Sequence, residues 1–280
     1  MCDAQPPGVK TCVLWLSPDC VRLRAAADDD ALQLFATLGV SLFSEFRVES
    51  RAANVIAAEV LTANLLSALR AAAGAPAAVL KLIKVGAAPF LSVAADLVAG
   101  GVAAAQEVPV RVLGAEELER HREPALSPIA ARMTFPSPAP VLSVVDHMRG
   151  LLLLGGKAAA AGAGAGGAIA ITADLAERKV VFAVRTATTQ VKTFFRDLVD
   201  GGGGGGGGGE DGGDEPPQPP AALHLHVGAR HLHSALKGIK TLESSMLMCV
   251  VPARALILHG ENASRNATLT FILALVDVSD

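Results

Sequence analysis

The stretches LLSALRAA (Leu65–Ala72) and LHSALKGI (Leu232–Ile239) repeat one short pattern within a single chain. Both place Leu, Ser, Ala, Leu and then a cation at the same positions, with an offset of 167 residues from Leu65 to Leu232. Apolar residues spaced three and four apart share one helical face, so each stretch predicts an amphipathic helix. Repetition at this long interval indicates that the domain containing the helix is duplicated.

The segments around the two helices repeat as well. The strand patterns AVLKLIKV and PFLSV, which follow the first helix, correspond at the same offset to MLMCVVP and ARALIL, so that Leu80 matches Leu247. Ahead of the first helix, TCVLWLSPD (Thr11–Asp19), VRLRA and LQLFATL predict an antiparallel meander with a Ser-Pro-Asp turn. Strand sets that need helical cover on one face predict an α+β fold of two repeated antiparallel-sheet domains.

A polar segment separates the two copies. GAEELERHREPALSP (Gly114–Pro128) is charged and interrupted by Pro, as is typical of a connector. We expect a first domain over 1–113, a connector over 114–134 and a second domain over 135–280. The glycine run Gly201–Gly209 and the Pro-rich residues after it cannot build a core, which predicts a disordered surface loop over 200–220.

Composition limits the functional classes. The chain has 280 residues and a formal net charge of −3, so its overall field favours no nucleic acid but is compatible with a local basic stripe. Four cysteines without C-x-x-C spacing and an N-terminus without an apolar core are typical of a reduced intracellular protein. Leu151–Ile171 is long enough to span a membrane, but Lys157 and the high Gly content argue against a span.

Two patterns resemble cofactor or metal motifs but lie in the wrong context. A G-x-G-x-x-G match follows a predicted helix and precedes a strand, which reverses the order that dinucleotide binding requires. An H-x-H…H-x-H pattern could indicate zinc, but its second pair diverges by about 200° on a helix. The residues concerned are Gly162, Gly164 and Gly167, and His224, His226, His231 and His233. We predict no enzyme activity, no cofactor and no metal; an enzyme that uses these residues is one alternative.

The cations of the repeated helices form a more consistent pattern. Arg230, His233, Lys237 and Lys240 recur at intervals of three and four residues, opposite the apolar positions Leu232, Leu236 and Ile239. The helix that opens the second copy, PVLSVVDHMRGLLLL, has an apolar stripe of Leu142, Val145, Met148 and Leu152. Point charges on one face are sufficient for sequence-independent contact with a phosphate backbone. The candidate contacts are Arg70, Arg149, Arg230, Lys237 and Lys240; ordinary solvated faces on a structural protein that binds no DNA are the alternative.

Several motifs resemble one family. TCVLWLSPD, FSEFRVES (Phe43–Ser50), NVIAAEVLTANLLSALRAA (Asn54–Ala72), PFLSV, VPVRVL (Val108–Leu113), EPALSP and ARMTFP follow one another in the order seen in the hydroxyurea-sensitive (HUS) family. That family supplies a subunit of the heterotrimeric checkpoint clamp, the nine-one-one complex. The frame running from Asn54 through Glu59 to Leu69 and the Val-Pro-Val-Arg-Val strand are the most specific pieces. The resemblance is firm over Thr11–Gly150 and lies at the level of pattern beyond it.

The resemblance implies a DNA sliding-clamp fold with helices on the inner, DNA-facing side. It implies a nuclear, non-catalytic ring subunit that assembles with two related RAD-type clamp subunits. A clamp loader would place the ring on double-stranded DNA without sequence preference, in support of checkpoint signalling and DNA repair. The alternative within the same fold is a homotrimeric replication clamp.

The resemblance also implies where the ring closes. Seams would form between edge strands, whose unpaired N–H and C=O groups can accept a neighbouring strand. In this chain those strands are VPVRV and TTQVKTFF, with the interface residues Val108, Val110, Val112, Thr189, Val191 and Thr193.

One departure from the family concerns the first domain. Family members begin with a strand and a helix ahead of the Thr11-type strand, where this chain has MCDAQPPGVK. The first domain as given therefore lacks its first strand and one of its two DNA-side helices, either because the sequence starts too late or because the subunit is a truncated form.

Overall fold

The computed structural model describes residues 10–98, 102–125, 128–154, 167–200 and 222–277. The chain divides into two compact units, which are described separately. The first holds the described residues up to Pro124 together with Ser264–Leu269, and the second holds those of Ala125–Ala263 and from Thr270 onward.

The first unit is a set of antiparallel strands with one long helix packed on it. Its strands are β1 (Thr11–Leu16), β2 (Cys20–Ala26), β3 (Leu32–Gly39), β4 (Ile56–Leu61), β5 (Ala77–Val85), β6 (Ala88–Val98) and β7 (Val102–Val112); its α-helices are α1 (Thr62–Ala72) and the short α2 (Ala115–Glu119). A 3₁₀ turn covers Val40–Leu42. The strands are ordered β3-β2-β1-β4-β7-β6-β5. The predicted meander is confirmed, because β2 pairs antiparallel with both β1 and β3.

The second unit has the same plan with more elements. Its strands are β8 (Ala131–Phe135), β9 (Ala168–Asp174), β10 (Lys179–Arg185), β11 (Gln190–Phe195), β12 (Val199–Asp200), β13 (Leu223–Gly228), β14 (Met246–Val251), β15 (Ala255–Glu261) and most of β16 (Ala267–Ala274); its helices are α3 (Pro138–Leu154) and α4 (Ala229–Lys240). The strands run in the orders β12-β8-β14-β15-β16 and β11-β10-β9-β13. The predicted connector, 114–134, contains α2 and most of β8.

Alternating burial explains the strands of the second unit. In β9 and β10 every second residue is buried, including Ile169, Ile171 and Phe182. Phe195 of β11 meets both Phe182 and Phe135 edge-to-face, with ring centroids 5.5 Å apart in each pair. Edge-to-face aromatic pairs add about 0.5–1.5 kcal/mol beyond the area they bury. The aromatic cluster therefore holds strands of the two sheet segments together.

The helices of the second unit bury the faces that the sequence predicts. In α3 the stripe is buried at all four positions: Leu142, Val145, Met148 and Leu152. In α4 the side chains of Leu232, Leu236 and Ile239 are at most 1% exposed. Packing of these apolar faces, more than helix propensity, stabilises short helices in proteins.

An ion-pair cluster joins β4, β7 and α2 in the first unit. Arg111 donates from Nε to Glu59 Oε2 at 2.9 Å and from Nη1 to Glu117 Oε1 at 2.6 Å. Glu117 Oε2 also accepts from the Gly114 N–H at 3.1 Å, which satisfies one backbone donor at the start of α2. These bonds lower the pKa of Glu117, chiefly through Arg111. Glu59 and Arg111 belong to the two most specific motifs of the family resemblance, and the fold brings them into contact.

The repeat keeps its offset of 167 residues in the helices and from β6 to β15, but the offset from β5 to β14 is one residue smaller. Leu65 and Leu232 are both buried, as an offset of 167 residues requires. The closing pair of the hairpin is Val85–Ala88 in β5–β6 and Val251–Ala255 in β14–β15. The second hairpin loop is therefore one residue longer, and β5 matches β14 at an offset of 166. The predicted match of Leu80 to Leu247 is wrong by one residue, since Leu80 corresponds to Met246; a one-residue slip reverses the face of every side chain.

Among its described residues, the first unit has no counterpart of β8 and α3. In the second unit β14 lies between β8 and β15, whereas β5 ends its sheet.

We predict that Gly260 controls how closely α4 approaches β15. A Cβ atom at Gly260 would lie 2.7 Å from Ile239 Cγ2 and 3.2 Å from Leu242 Cδ1, so Gly260→Ala must displace the helix or its side chains. Overpacking of this kind lowers the free energy of unfolding by about 1–3 kcal/mol. Gly114→Ala is the control, because a Cβ there meets nothing within 4 Å, and we expect a change within about 0.5 kcal/mol. Urea denaturation measures both; equal effects would contradict the packing role.

Candidate nucleic-acid interface

Helix α4 separates its charges from its apolar residues. Its buried face packs into the second unit, which leaves Arg230, Lys237 and Lys240 exposed on the other side. Two of these cations lie in the last turn, where positive charge is favoured by the helix dipole. The helix ends at Thr241, whose hydroxyl donates to the Gly238 carbonyl at 2.7 Å. The predicted cationic stripe on α4 is thus an exposed surface.

The ammonium groups of this stripe are available to an anion. Among the described residues, neither Lys237 nor Lys240 has an ion-pair partner. Arg230 lies with Nη2 at 3.5 Å from His231 Nε2, at the outer limit of a hydrogen bond. All three cations can therefore approach a phosphate without first breaking an ion pair.

Asp146 changes the role of the two remaining positions. In α3, which packs on α4, Asp146 Oδ1 accepts from His233 Nε2 at 2.8 Å. The same oxygen lies 3.6 Å from Arg149 Nη1, so the guanidinium is partly neutralised inside the protein. An external phosphate would have to compete with Asp146 for Arg149, which makes Arg149 a weaker candidate contact than Lys237 or Lys240.

His233 is neutral near pH 7. Burial lowers its pKa from the ordinary value, Arg149 lowers it further, and Asp146 opposes the shift. Because folding lowers the pKa of His233, the folded state favours the neutral imidazole. This preference adds to the folding stability above the unfolded-state pKa of about 6.5. It is lost as the pH falls from there through the folded-state pKa. The stripe therefore contains three permanent charges at neutral pH.

The first unit contributes one cation at the equivalent place. Arg70 is exposed on α1 at the position that matches Lys237 at the helical offset of 167 residues. Arg230 and Lys240 are matched by Ala63 and Ala73. The helices of the two units thus share a single cationic position, and the second unit has the denser charge.

The predicted seam strands differ in their environment. β11, which contains Val191 and Thr193, is an edge strand, as predicted; Thr189 is exposed just before it. The prediction that VPVRV is an edge strand is wrong: β7 lies between β6 and β4, and its Val110 and Val112 pair with Val60 and Ala58. Val108 is buried beside Leu91. A seam at this end of β7 would have to form without the backbone groups that β4 uses, and the interface role of these residues stays a prediction.

A second surface feature lies in the first unit beneath the connector. A cleft of about 540 Å³ is lined by the strands β1–β3 and by His121–Glu123. Arg24 is hydrogen-bonded through Nη1 to His121 Nδ1, so the imidazole accepts and is neutral. Burial and the nearby Arg24 lower the pKa of His121 accordingly. This bond holds the connector residue against the sheet.

The fold places the histidines of the H-x-H…H-x-H pattern in separate contacts. His224 Nδ1 lies 2.9 Å from Thr172 Oγ1 on the outer face of β13, while His233 is bound to Asp146. Over the parts of the chain that the structure describes, no group of three or more His, Cys, Asp or Glu could hold a metal ion. Gly162 and Gly164 lie outside the described residues, as does 201–220 of the predicted loop. Helix α3 precedes and β9 follows, which is the predicted reversed order.

None of the described helices is long and apolar enough to cross a membrane. Cys12, Cys20 and Cys249 are buried free thiols, and burial raises the pKa of Cys12 to about 11.

Comparison with known proteins identifies the family. The family described as Hus1-like protein matches residues 8–277. The chain belongs to the Hus1-like family. No curated protein matches it.

Solved structures show that the Hus1-like chain has the sliding-clamp fold. PCNA from Thermococcus kodakaraensis is similar with a TM-score of 0.65 and 16% identity, over 95% of this chain and 90% of that one. Proliferating Cellular Nuclear Antigen from Entamoeba histolytica gives 0.67 and 12%, over 98% and 92%. The PCNA2–PCNA3 complex from Sulfolobus tokodaii gives 0.63 and 11%, over 95% and 90%.

Sequence reasoning on this Hus1-like chain missed Asp146. Asp146 contacts two of the predicted basic positions, Arg149 and His233, and its carboxylate partly offsets the charge of Arg149. Its spacing of three residues from Arg149 on one helix was a usable indication of an ion pair. The contact with His233 could not be predicted from the sequence, because it joins α3 to α4 across 87 positions of sequence.

We predict that the protonation of His233 follows the charges around it. Its imidazole should titrate below pH 6.5, Asp146→Asn should lower the pKa further, and Arg149→Gln should raise it, because Asp146 favours and Arg149 disfavours the cation. NMR titration of the His233 ring resonances measures all three. Shifts of Asp146→Asn and Arg149→Gln in the same direction would contradict the assigned cluster.

Proposed function

We propose that this chain is the Hus1-like subunit of a heterotrimeric DNA-damage checkpoint clamp that encircles double-stranded DNA. It would assemble with two related RAD-type clamp subunits in the nucleus, be loaded by a clamp loader, and support checkpoint signalling and DNA repair. The domains would be 1–113 and 135–280, joined by 114–134. The observation that carries the proposal is the exposed cation at one repeat position, Arg70 and Lys237, in a chain of this family and fold.

The charge arrangement suits sliding better than site recognition. Arg70, Arg230, Lys237 and Lys240 are exposed point charges on two helices, α1 and α4, whose sequences contain no Phe, Tyr or Trp to stack on bases. Phosphate contacts of this kind carry no sequence information. Each neutralised phosphate contributes about 0.9 to the slope of log K against log salt. A handful of contacts gives weak, salt-sensitive binding, and retention on DNA then depends on ring closure.

We infer that the subunit acts without catalysis. His233 is engaged by Asp146 and His121 by Arg24, so two of the described imidazoles already serve internal contacts. Burial raises the pKa of Cys12 and of Cys249, which keeps these thiols protonated and unreactive. A ring that works by encircling its substrate requires none of these groups to react.

β11 is the better supported of the two proposed seams. It ends its sheet segment, and its outward residues Gln190, Lys192 and Phe194 are exposed. An edge strand in this state can accept a neighbouring subunit's strand by β-augmentation. The charge of Lys192 also opposes nonspecific pairing of this edge with other strands.

We predict that the α4 lysines contribute to DNA binding by the assembled ring. The double variant Lys237→Glu/Lys240→Glu should weaken binding and reduce the salt slope by about 2, since about 0.9 is lost per phosphate contact. Arg254→Glu is the control, because Arg254 is an exposed cation in the β14–β15 turn, away from the helices. Fluorescence anisotropy over a salt series measures both. Equal losses would indicate a general charge effect and reject the contact assignment.

We predict that the chain forms a 1:1:1 complex when co-expressed with the two RAD-type subunits. Native mass spectrometry of the purified material measures the stoichiometry. A stable homotrimer of this chain alone would instead establish the alternative, a replication clamp. DNA retention should be compared on linear and circular DNA, because an encircling ring slides off free ends.

A further inference from the structure

The cleft of the first unit has two arginines on its floor. Arg22 and Arg24 are two residues apart on β2, so both side chains lie on one face of the sheet. Both line the cleft of about 540 Å³ beside the connector. Across the strands, Arg22 pairs with Trp15 of β1. Arg24 pairs with Phe35 of β3. We call the surface formed by these four side chains the arginine cleft.

The aromatic rings hold the two guanidinium groups in place. Arg22 Cζ lies over the Trp15 ring, 5.5 Å from its centroid. Arg24 Cζ lies over the Phe35 ring at 5.9 Å. These distances are typical of cation–π contacts. The N–H groups project from the edge of the guanidinium plane, so stacking on a ring leaves them able to donate to an anion.

The positive charge of the arginine cleft has no counter-ion within the unit. Among the described residues, no carboxylate forms an ion pair with Arg22 or Arg24. Arg24 is partly buried and donates from Nη1 to the neutral His121. Its Nε is buried and has no hydrogen-bond partner among the described residues. Buried cations are normally paired and buried donors normally satisfied, so this arginine lacks the partner that an external anion would supply.

The connector side of the cleft carries less positive charge. Arg122 is paired through Nη2 with Glu119 Oε1 at 2.7 Å, so its charge is largely offset. Glu123 is exposed and lines the cleft, and its carboxylate opposes an anion. Two unpaired guanidinium groups therefore face one carboxylate, and the balance of the cleft is positive.

The spacing of the arginines favours one class of anion. Two residues of a strand span about 7 Å, which lets both Arg22 and Arg24 reach the same group. A phosphate monoester carries a charge of about −1.5 to −2 and three acceptor oxygens, and guanidinium groups bind it bidentately. A carboxylate has a single charge, and a nucleic-acid backbone spreads single charges along a line. Two converging guanidinium groups fit the phosphate monoester best.

We propose that the arginine cleft binds a phosphorylated side chain of a partner peptide. Arg22 and Arg24 would hold the phosphate. Val13, Trp15 and Phe35 would contact the apolar residues that flank it, a contact that a free phosphate ion cannot make. Recognition of phosphorylated motifs by grouped arginines is an established mode of peptide binding. The inference rests on the first unit alone and goes beyond the proposed clamp function.

The chain contains its own reporter for this site. Trp15 is the only tryptophan in the sequence, so its emission reports on the arginine cleft directly. The probe is a labelled, end-blocked peptide with one phosphoserine between two leucines. It should bind the full chain saturably in fluorescence anisotropy and change the Trp15 emission over the same concentration range. The unphosphorylated peptide and inorganic phosphate should each bind at least about tenfold more weakly.

Three variants test the charges. Arg22→Gln should weaken binding of the phosphopeptide at least about tenfold, because it removes one bidentate contact. Arg51→Gln is the control, since Arg51 is an exposed arginine of the same unit outside the cleft and its loss changes the net charge equally. It should change the affinity less than about twofold. Glu123→Gln should strengthen binding about two- to threefold, because an opposing charge is removed. Circular dichroism checks that all three variants are folded.

The same titrations can overturn the proposal. Absence of saturable phosphopeptide binding, an unchanged Trp15 emission, or equal losses in Arg22→Gln and Arg51→Gln would each do so. Inorganic phosphate that binds as tightly as the phosphopeptide would identify a free anion as the ligand. A single-stranded oligothymidylate that displaces the peptide at lower concentration would identify nucleic acid as the occupant. Either result would also reject a phosphorylated peptide.

Discussion

The rest of the second unit depends on the burial of one face of α4. Leu232, Leu236 and Ile239 must leave water, and the sheet beneath them accepts the helix only because Gly260 has no side chain. Burying three such side chains is worth about 1.5–3 kcal/mol each. Once that face is buried, Arg230, Lys237 and Lys240 must face the solvent, because they lie on the opposite side of the helix. The cationic surface is thus a consequence of packing, and it needs no stabilising energy of its own.

Electrostatics then refines what packing leaves exposed. Asp146 binds His233 and shares Arg149, so the junction of α3 and α4 is close to neutral while the outer part of α4 stays positive. Positive charge is therefore concentrated on the outer part of α4. In the first unit, the corresponding helix carries only Arg70 at an equivalent position. The equivalent helices of the two copies therefore differ in charge.

The duplication makes each unit a control for the other. Leu80 and Met246 occupy the same place in the fold, and one is half exposed while the other is fully buried. Among the described residues, β8 pairs with β14 beside Met246, and no strand takes that place beside Leu80. Comparing the units in this way separates what a strand contributes by its own sequence from what its neighbour contributes by pairing with it.

The sequence by itself determined the local elements and their inner faces. The apolar stripes of α3 and α4, the meander β1–β2–β3 and the repeat of helix and strands all follow from periodicity, because side-chain direction in a helix or strand is fixed by spacing. The Glu59 and Arg111 motifs were visible too, but only the fold shows that they bind each other. Tertiary structure alone decided the pairing of Asp146 with His233, the position of β7 between β4 and β6, and the 166-residue offset of β5. Each of these depends on contacts between residues far apart in the chain or on the length of one hairpin loop, and neither leaves a periodic trace in the sequence.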